Sequence, residues 1–268
     1  MVTAVPTWDR AEENERAYFA LLAQTPPMDG AALLINPNVP AVLINRAMSL
    51  RLSDDSLARD LDRMEEPFLS RRIPPSAYLT PASRPPGLRR ALLARGYRSE
   101  YRQTVMAHGL NLGSESAGGG APVPAGLTVA LTTGPAEYQA WCQTFLGGFE
   151  VRPDMHGVMY EMNLRSLRQP GVTGLLGLLN GRPVATTCLY VAGDTAGLYA
   201  VSTLPRARRK GVAGALVRQA LAMAKAQGAA LAILQTATGG DPERLYRSLG
   251  FKELFVAEVL TRRGLQGG

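Results

Sequence analysis

The segment richest in chemistry is Pro205-Arg206-Ala207-Arg208-Arg209-Lys210-Gly211-Val212-Ala213-Gly214. Arg206, Arg208, Arg209 and Lys210 concentrate positive charge, and small residues follow at 211, 213 and 214. A strand-like run, Leu198–Leu204, precedes it. After it, Ala213, Leu216, Val217, Ala220, Leu221 and Ala224 fall on one helical face. The first turn of a helix carries N–H groups without intrahelical partners and a partial positive charge. With small side chains in front of it, such a terminus suits a phosphate or pyrophosphate. A basic exposed loop before an ordinary helix would use the same cations, but it leaves the small residues unexplained.

Other chemistries find little support. The chain has 268 residues with only Cys142, Cys188, His108 and His156 as soft or imidazole ligands, and neither pair has metal-ligand spacing. No metal site and no disulfide scaffold is expected. Cys188 lies in an apolar run and reads as a buried structural thiol, and His156 as a satisfied surface histidine. The formal net charge of +7 favours an anionic partner: nucleic acid, a membrane surface or a phosphorylated cofactor. Arg84, Arg89, Arg90, Arg95, Arg98 and Arg102 form a second basic stretch without a helix-turn-helix, RNP or zinc pattern. A solvated face is the expectation there, not a specific nucleic-acid site. No stretch approaches the roughly 20 apolar residues of a membrane span, and no signal-peptide pattern opens the chain. A cytoplasmic protein with no membrane partner is expected.

The elements that position the basic loop can be read from the pattern. Residues 111–126, rich in Gly, Ser, Ala and Pro, predict a linker between a domain at 1–110 and a domain at 127–268. The second domain opens with a strand from Leu127, followed by helices over Ala136–Phe149 and Asp154–Leu167. Strands at Thr173–Leu179 and Arg182–Val191 are joined by Asn180-Gly181, a strong hairpin signal. After the motif helix come a strand at Leu231–Thr236, a short helix from Asp241-Pro242-Glu243 with Asp241 as its cap, and a last strand at Phe251–Thr261. The first domain predicts a helix near Arg10–Ala23 and strands at Ala32–Ile35 and Ala41–Leu50. A helix capped by Ser53, with Leu57, Leu61, Met64 and Phe68 as its stripe, follows. Leu92–Arg98 (LLARGYR) and Tyr246–Lys252 (YRSLGFK) match at an offset of 154, each with a glycine before an aromatic residue. A tandem duplication accounts for this match.

The motif resembles the acyl-CoA-binding signature of the GCN5-related N-acetyltransferases (GNAT), Gln/Arg-x-x-Gly-x-Gly/Ala, with Arg208, Gly211 and Ala213 in the three named positions. The resemblance runs from about Leu127 to Arg263. The first domain resembles the degenerate acetyltransferase-like domain that precedes the catalytic one in some bacterial members, through Asn45, Pro74–Tyr97 and Met106. The implied fold is an α/β protein with a mixed sheet, a tandem acyl-CoA N-acyltransferase fold degenerate in its N-terminal half and complete in its C-terminal half. The implied activity is transfer of an acetyl group from acetyl-CoA to a primary amine by direct attack in a ternary complex. The acceptor is a small-molecule or peptide amine, and the chain a monomer or homodimer. A non-catalytic acyl-CoA-binding or sensing module is the alternative.

By the same resemblance, the main chain of Val201 and Thr203 lies beside the pantetheine amides, and the N–H groups of Arg209, Lys210, Gly211, Val212, Ala213 and Gly214 hold the pyrophosphate. Arg208 belongs to the same cofactor set. Tyr246 matches the tyrosine that protonates the leaving sulfur, and Glu150, between the first two helices of the domain, is a candidate base. Tyr199 and Ser202 are others. Two departures stand out: Gly239 replaces the usual asparagine seven residues before the tyrosine, and Pro242 stands where alanine is common. In the first domain, Arg51-Leu52-Ser53-Asp54-Asp55 occupies the place of the phosphate loop with two acids and no glycine, and Leu92 occupies the place of Tyr246. One cofactor site per chain is expected.

Overall fold

The computed structural model describes residues 7–110 and 123–264, so residues 111–122 of the expected linker lie outside the described residues. In chain order the elements are α1 (Thr7–Ala20), β1 (Ala32–Leu34), β2 (Arg46–Met48), α2 (Leu57–Leu69), β3 (Ser76–Leu79), α3 (Leu88–Ala94) and β4 (Arg98–Gly109). They continue as β5 (Leu127–Leu131), α4 (Pro135–Gly148), α5 (His156–Leu167), β6 (Val172–Leu179), β7 (Arg182–Ala192) and β8 (Thr195–Thr203). Last come α6 (Val212–Ala226), β9 (Leu231–Ala237), α7 (Asp241–Ser248) and β10 (Lys252–Thr261). Two compact units result: Met1–Val105 with Leu254–Gly268, and Met106–Glu253. Each unit therefore takes a piece of strand from the other half of the sequence.

In the first unit, β10 pairs antiparallel with β3, from Glu258↔Leu79 to Thr261↔Ser76. Strand β2 pairs antiparallel with β1 and parallel with β3, the latter only at Ala47↔Ala77. The apolar stripe predicted for α2 is the core here: Leu61, Met64 and Phe68 are buried and pack with Leu33, Leu92, Tyr97 and Leu260. Two expectations change. Only Arg46–Met48 of the predicted strand Ala41–Leu50 is extended, because the Ala41 carbonyl accepts the N–H groups of Ile44 and Asn45 in a tight turn. Helix α2 starts at Leu57, not after Ser53, and the Ser56 hydroxyl bonds the Asp60 carboxylate (2.6 Å) instead of a backbone N–H.

In the second unit, β5, β6, β7 and β8 form an antiparallel meander, β9 joins β8 in parallel, and the end of β4 borders β9. The Leu110 N–H donates to the Ala230 carbonyl at 2.9 Å, extending that border. The Asn180-Gly181 turn has φ of +51° and +74°, the left-handed pair that a two-residue hairpin demands. Helix α6 buries Leu216, Val217, Ala220 and Ala224 completely. Gly177 faces Leu216 of α6 while Gly174 faces Leu167 of α5, so the sheet is covered on both faces.

Candidate functional site

Strands β8 and β9 pair only at Thr195↔Leu231, Ala196↔Ala232 and Gly197↔Ile233. Beyond Gly197 they part, leaving a gap between two parallel strands. On its other side β8 remains paired to β7, with a bulge between Thr186 and Cys188 where Ala200 takes a left-handed φ of +52°. The Leu204 N–H donates to the Val184 carbonyl (2.8 Å), so Leu204 faces β7. Main-chain groups alternate along a strand pair. Those of Thr203 and Val201 therefore point away from β7, into the gap. The Thr203 side-chain hydroxyl is also buried there without a hydrogen-bond partner.

The gap ends on the basic loop. Arg209 has a φ of +62° and Gly211, the N-cap of α6, a φ of +77°. No side chain caps this helix, so its first N–H groups are not taken by a side-chain acceptor. A Cβ at Gly214 would lie in ordinary contact with Arg218 and with Leu245 of α7, at 3.6 Å each, so the small residue lets α7 pack close to the helix start. A cleft of about 530 Å³ results, lined by Val201, Thr203, Arg208, Arg209, Gly211, Val212, Ala213, Gly214 and Tyr246 among others. Lys210 lies in the same loop and is exposed. Val201, Thr203, the motif and Tyr246, singled out from sequence, are thus brought to one cleft.

Tyr246 comes from α7 and is 6% exposed. Burial pushes its hydroxyl up to about 12, so at neutral pH it holds its proton. Its ring packs edge-on to Phe251, 6.0 Å between centroids. Helix α7 places it by a different start from the one expected. Gly240 is the N-cap, and the Asp241 carboxylate pairs with Arg244 and Arg209 instead of capping a backbone N–H. Where the asparagine is missing, Gly239 adopts a φ of +77° and its N–H donates to the Glu243 carboxylate (2.8 Å).

Glu150 stands at a φ of +51° just past α4, with its carboxylate 3.2 Å from the Arg208 guanidinium. His156 is exposed and its Nε2 is 2.8 Å from the Val151 carbonyl. Cys188 is buried, and burial also pushes the Cys142 thiol up to about 12. Sequence reading missed Gly148 and Phe149, at the end of α4, and Asp241, all of which line the cleft. Gly148 had a signal of a kind: a Cβ there would collide with the Ser202 hydroxyl, so only glycine lets α4 end against β8. Ser202 itself is locked by hydroxyl pairing, since Thr186 Oγ1 donates to the Ala200 carbonyl (2.9 Å) and lies 2.8 Å from Ser202 Oγ.

A mixed sheet with a splayed parallel pair, closed at one end by an uncapped, glycine-led helix, is the arrangement that the motif's resemblance implied. Residues 138–251 match the model of the acetyltransferase (GNAT) family. The fold extends over both units in solved structures. A GCN5-related N-acetyltransferase from Kribbella flavida is 22% identical, covers 97% of this chain and 97% of its own, and has a TM-score of 0.71. One from Sphaerobacter thermophilus is 18% identical, with 88% and 77% coverage and a TM-score of 0.66. A tandem GNAT protein from the clavulanic acid biosynthesis pathway is 16% identical, with 95% coverage of both chains and a TM-score of 0.62. At these identities the likeness establishes the tandem fold. No curated protein matches the chain. Among the described residues there is no group of three or more His, Cys, Asp or Glu that would hold a metal ion, and no helix is long and apolar enough to cross a membrane.

Proposed function

We propose that the protein is an N-acetyltransferase that moves an acetyl group from acetyl-CoA to a primary amine, carried by a small molecule or a peptide, by direct attack in a ternary complex. The observation that carries this reading is the gap between β8 and β9, where the main chain of Val201 and Thr203 faces an opening that runs to the bare N-terminus of α6. A ligand with amides at one end and phosphates at the other fits that sequence of groups. The buried, unpartnered Thr203 hydroxyl is a further polar group awaiting a partner. Acetyl-CoA supplies an activated thioester carbonyl. The chain supplies the rest: the main chain of Val201 and the N–H of Thr203 offer strand-type hydrogen bonds, and the N–H groups at the start of α6, with Arg209 and Lys210, suit the anionic end.

Tyr246 is the proton carrier in this reading. A phenol raised to about 12 is no base near neutrality, and its Oη–H is available as a donor. Aimed at a leaving sulfur, it stabilises developing negative charge by hydrogen bonding even before full transfer. The test is release of free thiol from acetyl-CoA against a panel of amines, wild type beside Tyr246→Phe. A second reading, an acyl-CoA-binding module without turnover, draws on the fact that the only carboxylate lining the cleft among the described residues, Asp241, is paired with Arg244 and Arg209. Tight acetyl-CoA binding with no thiol release from any amine would favour it over catalysis.

A further inference from the structure

We propose that the Arg208 side chain is a clasp that positions both walls of the cleft, and that Glu150 serves it as a positioning residue instead of acting as the base. The proposal rests on the acetyltransferase reading above. Arg208 Nε donates to the Thr203 carbonyl at 3.1 Å, and Nη2 donates to the Gly148 carbonyl at 3.0 Å and to Glu150 Oε2 at 3.2 Å. These acceptors end two different elements: Thr203 ends β8 and Gly148 ends α4. One guanidinium thus ties the last residue of the splayed strand and the end of α4 to the loop that leads into α6.

The edge of the guanidinium in use decides its role. Nε and Nη2 form the side of the fork that grips a carboxylate or phosphate through two parallel bonds. That edge is already committed to main-chain carbonyls. The motif arginine therefore shapes the phosphate loop without its side chain being the phosphate ligand, a task left to the N–H groups of α6 and to Arg209 and Lys210.

The backbone next to the clasp is strained on both sides. Glu150 and Arg209 are both left-handed at φ of +51° and +62°, a region unfavourable to residues with a Cβ. Such conformations persist where surrounding contacts over-determine them. Glu150 and Arg208 are 63% and 44% exposed in their side chains, so the charge pair itself is weak and the carbonyl bonds dominate. The order of effects follows: losing the guanidinium matters more than losing the carboxylate. A carboxylate that accepts from a guanidinium is also poorly placed to take a proton from an amine.

The experiment compares wild type, Arg208→Met, Arg208→Lys and Glu150→Gln using acetyl-CoA and acetyl-pantetheine, which lacks the nucleotide and its phosphates. It reads kcat, KM and the pH profile of kcat, together with calorimetric binding of coenzyme A and pantetheine and the melting temperature. Arg208→Met should weaken both donors by a similar factor, about tenfold, and Arg208→Lys should not restore them because a point charge lacks the fork. Glu150→Gln should raise KM about threefold and keep the acid limb of the kcat profile. Weakening of acetyl-CoA alone would make Arg208 a phosphate ligand and overturn the clasp. A roughly hundredfold fall in kcat for Glu150→Gln with loss of the acid limb would make Glu150 the base and overturn its positioning role. Wild-type protein that binds donor without turnover defeats only the catalytic reading, since the binding measurements still decide the clasp. Wild-type protein that binds neither donor overturns both.

Discussion

Both units contain a pair of parallel strands that part soon after they meet, and they differ in what fills the gap. In the second unit β8 and β9 separate after Gly197↔Ile233 and leave a cleft. In the first, β2 and β3 pair only at Ala47↔Ala77, and the chain after β3 turns back into the space. The Arg84 N–H donates to the Leu50 carbonyl (2.9 Å), and the Leu52 N–H to the Arg84 carbonyl (3.2 Å). Main-chain groups that face a ligand-sized opening in one unit are satisfied internally in the other. The repeat that marks the relation keeps its backbone: Tyr97 N–H donates to the Leu92 carbonyl at 3.1 Å, and Phe251 N–H to the Tyr246 carbonyl at 3.0 Å. Gly96 and Gly250 share a φ of +88°. The backbone of the match is shared while the side chain is not, since a buried leucine stands where the tyrosine does in the second unit.

The first unit also buries charge beneath α1. Arg46 is fully buried, pairs with Glu15 at 2.7 Å, and lies over the rings of Tyr78 and Phe19. Tyr78 Oη donates to Glu15 (2.8 Å) and Gln103 Nε2 donates to Tyr78 Oη (2.9 Å). The largest expected effect follows from removing one member. Arg46→Met leaves Glu15 buried and uncompensated, at a cost of about 3–5 kcal/mol in stability by chemical denaturation. Adding Glu15→Leu should recover much of that loss; a double variant as unstable as the single one would mean that the network does not act as a unit.

Next in size is an acid placed where the second unit has none. Ala213→Glu, at a half-buried first-turn position of α6 that lines the cleft, should fold normally and weaken acetyl-CoA binding about a hundredfold, roughly 2.7 kcal/mol, by calorimetry. Wild type should bind one acetyl-CoA per chain; two would erase the contrast between the units. Tyr246→Phe should lower kcat by about ten- to a hundredfold while KM for acetyl-CoA stays within about twofold. A variant with wild-type kcat would remove the tyrosine from the chemistry and bring the second unit closer to the first.

The smallest expected effect is a pH dependence in the first unit. Hydrogen bonds from Arg89 hold the Glu258 carboxyl below the usual carboxylate range. A depressed carboxylate stabilises the fold above its unfolded pKa, and that contribution is lost as pH falls through the lower folded value. Arg89→Ala should therefore shrink the acid-side loss of stability, and an unchanged stability–pH curve would show that the pair contributes nothing.

Much of the second unit was legible because its signals are local. Asn180-Gly181, the glycine-led start of α6 and the Leu249-Gly250-Phe251 exit from α7 each fix a backbone conformation within a few residues. The strand exchange was not legible, since the run Phe251–Thr261 reads the same whichever strand it joins, and its partner Leu79 lies far away in sequence. Glu15 and Arg46 were equally hidden: sequence gives charges on a helix and a strand no reason to be buried until they meet. Four of the six arginines between Arg84 and Arg102 have partners. Arg89 pairs with Glu258, Arg95 with Asp62, and Arg84 and Arg98 donate to nearby carbonyls. Arg208 was assigned to the right loop, but its side-chain partners, Gly148 and Glu150, are 60 and 58 residues away.

The exchanged strands have a practical consequence. Leu254–Thr261 completes the first unit against β3, and the end of β4 completes the second against β9. A cut between residues 111 and 122 would give two fragments of sensible length, each lacking a piece of strand and each exposing a sheet edge prone to pairing with whatever it meets. Expressed apart, the fragments should be poorly soluble. Expressed together, they should recover one another's structure, so that the natural unit of truncation is the whole chain.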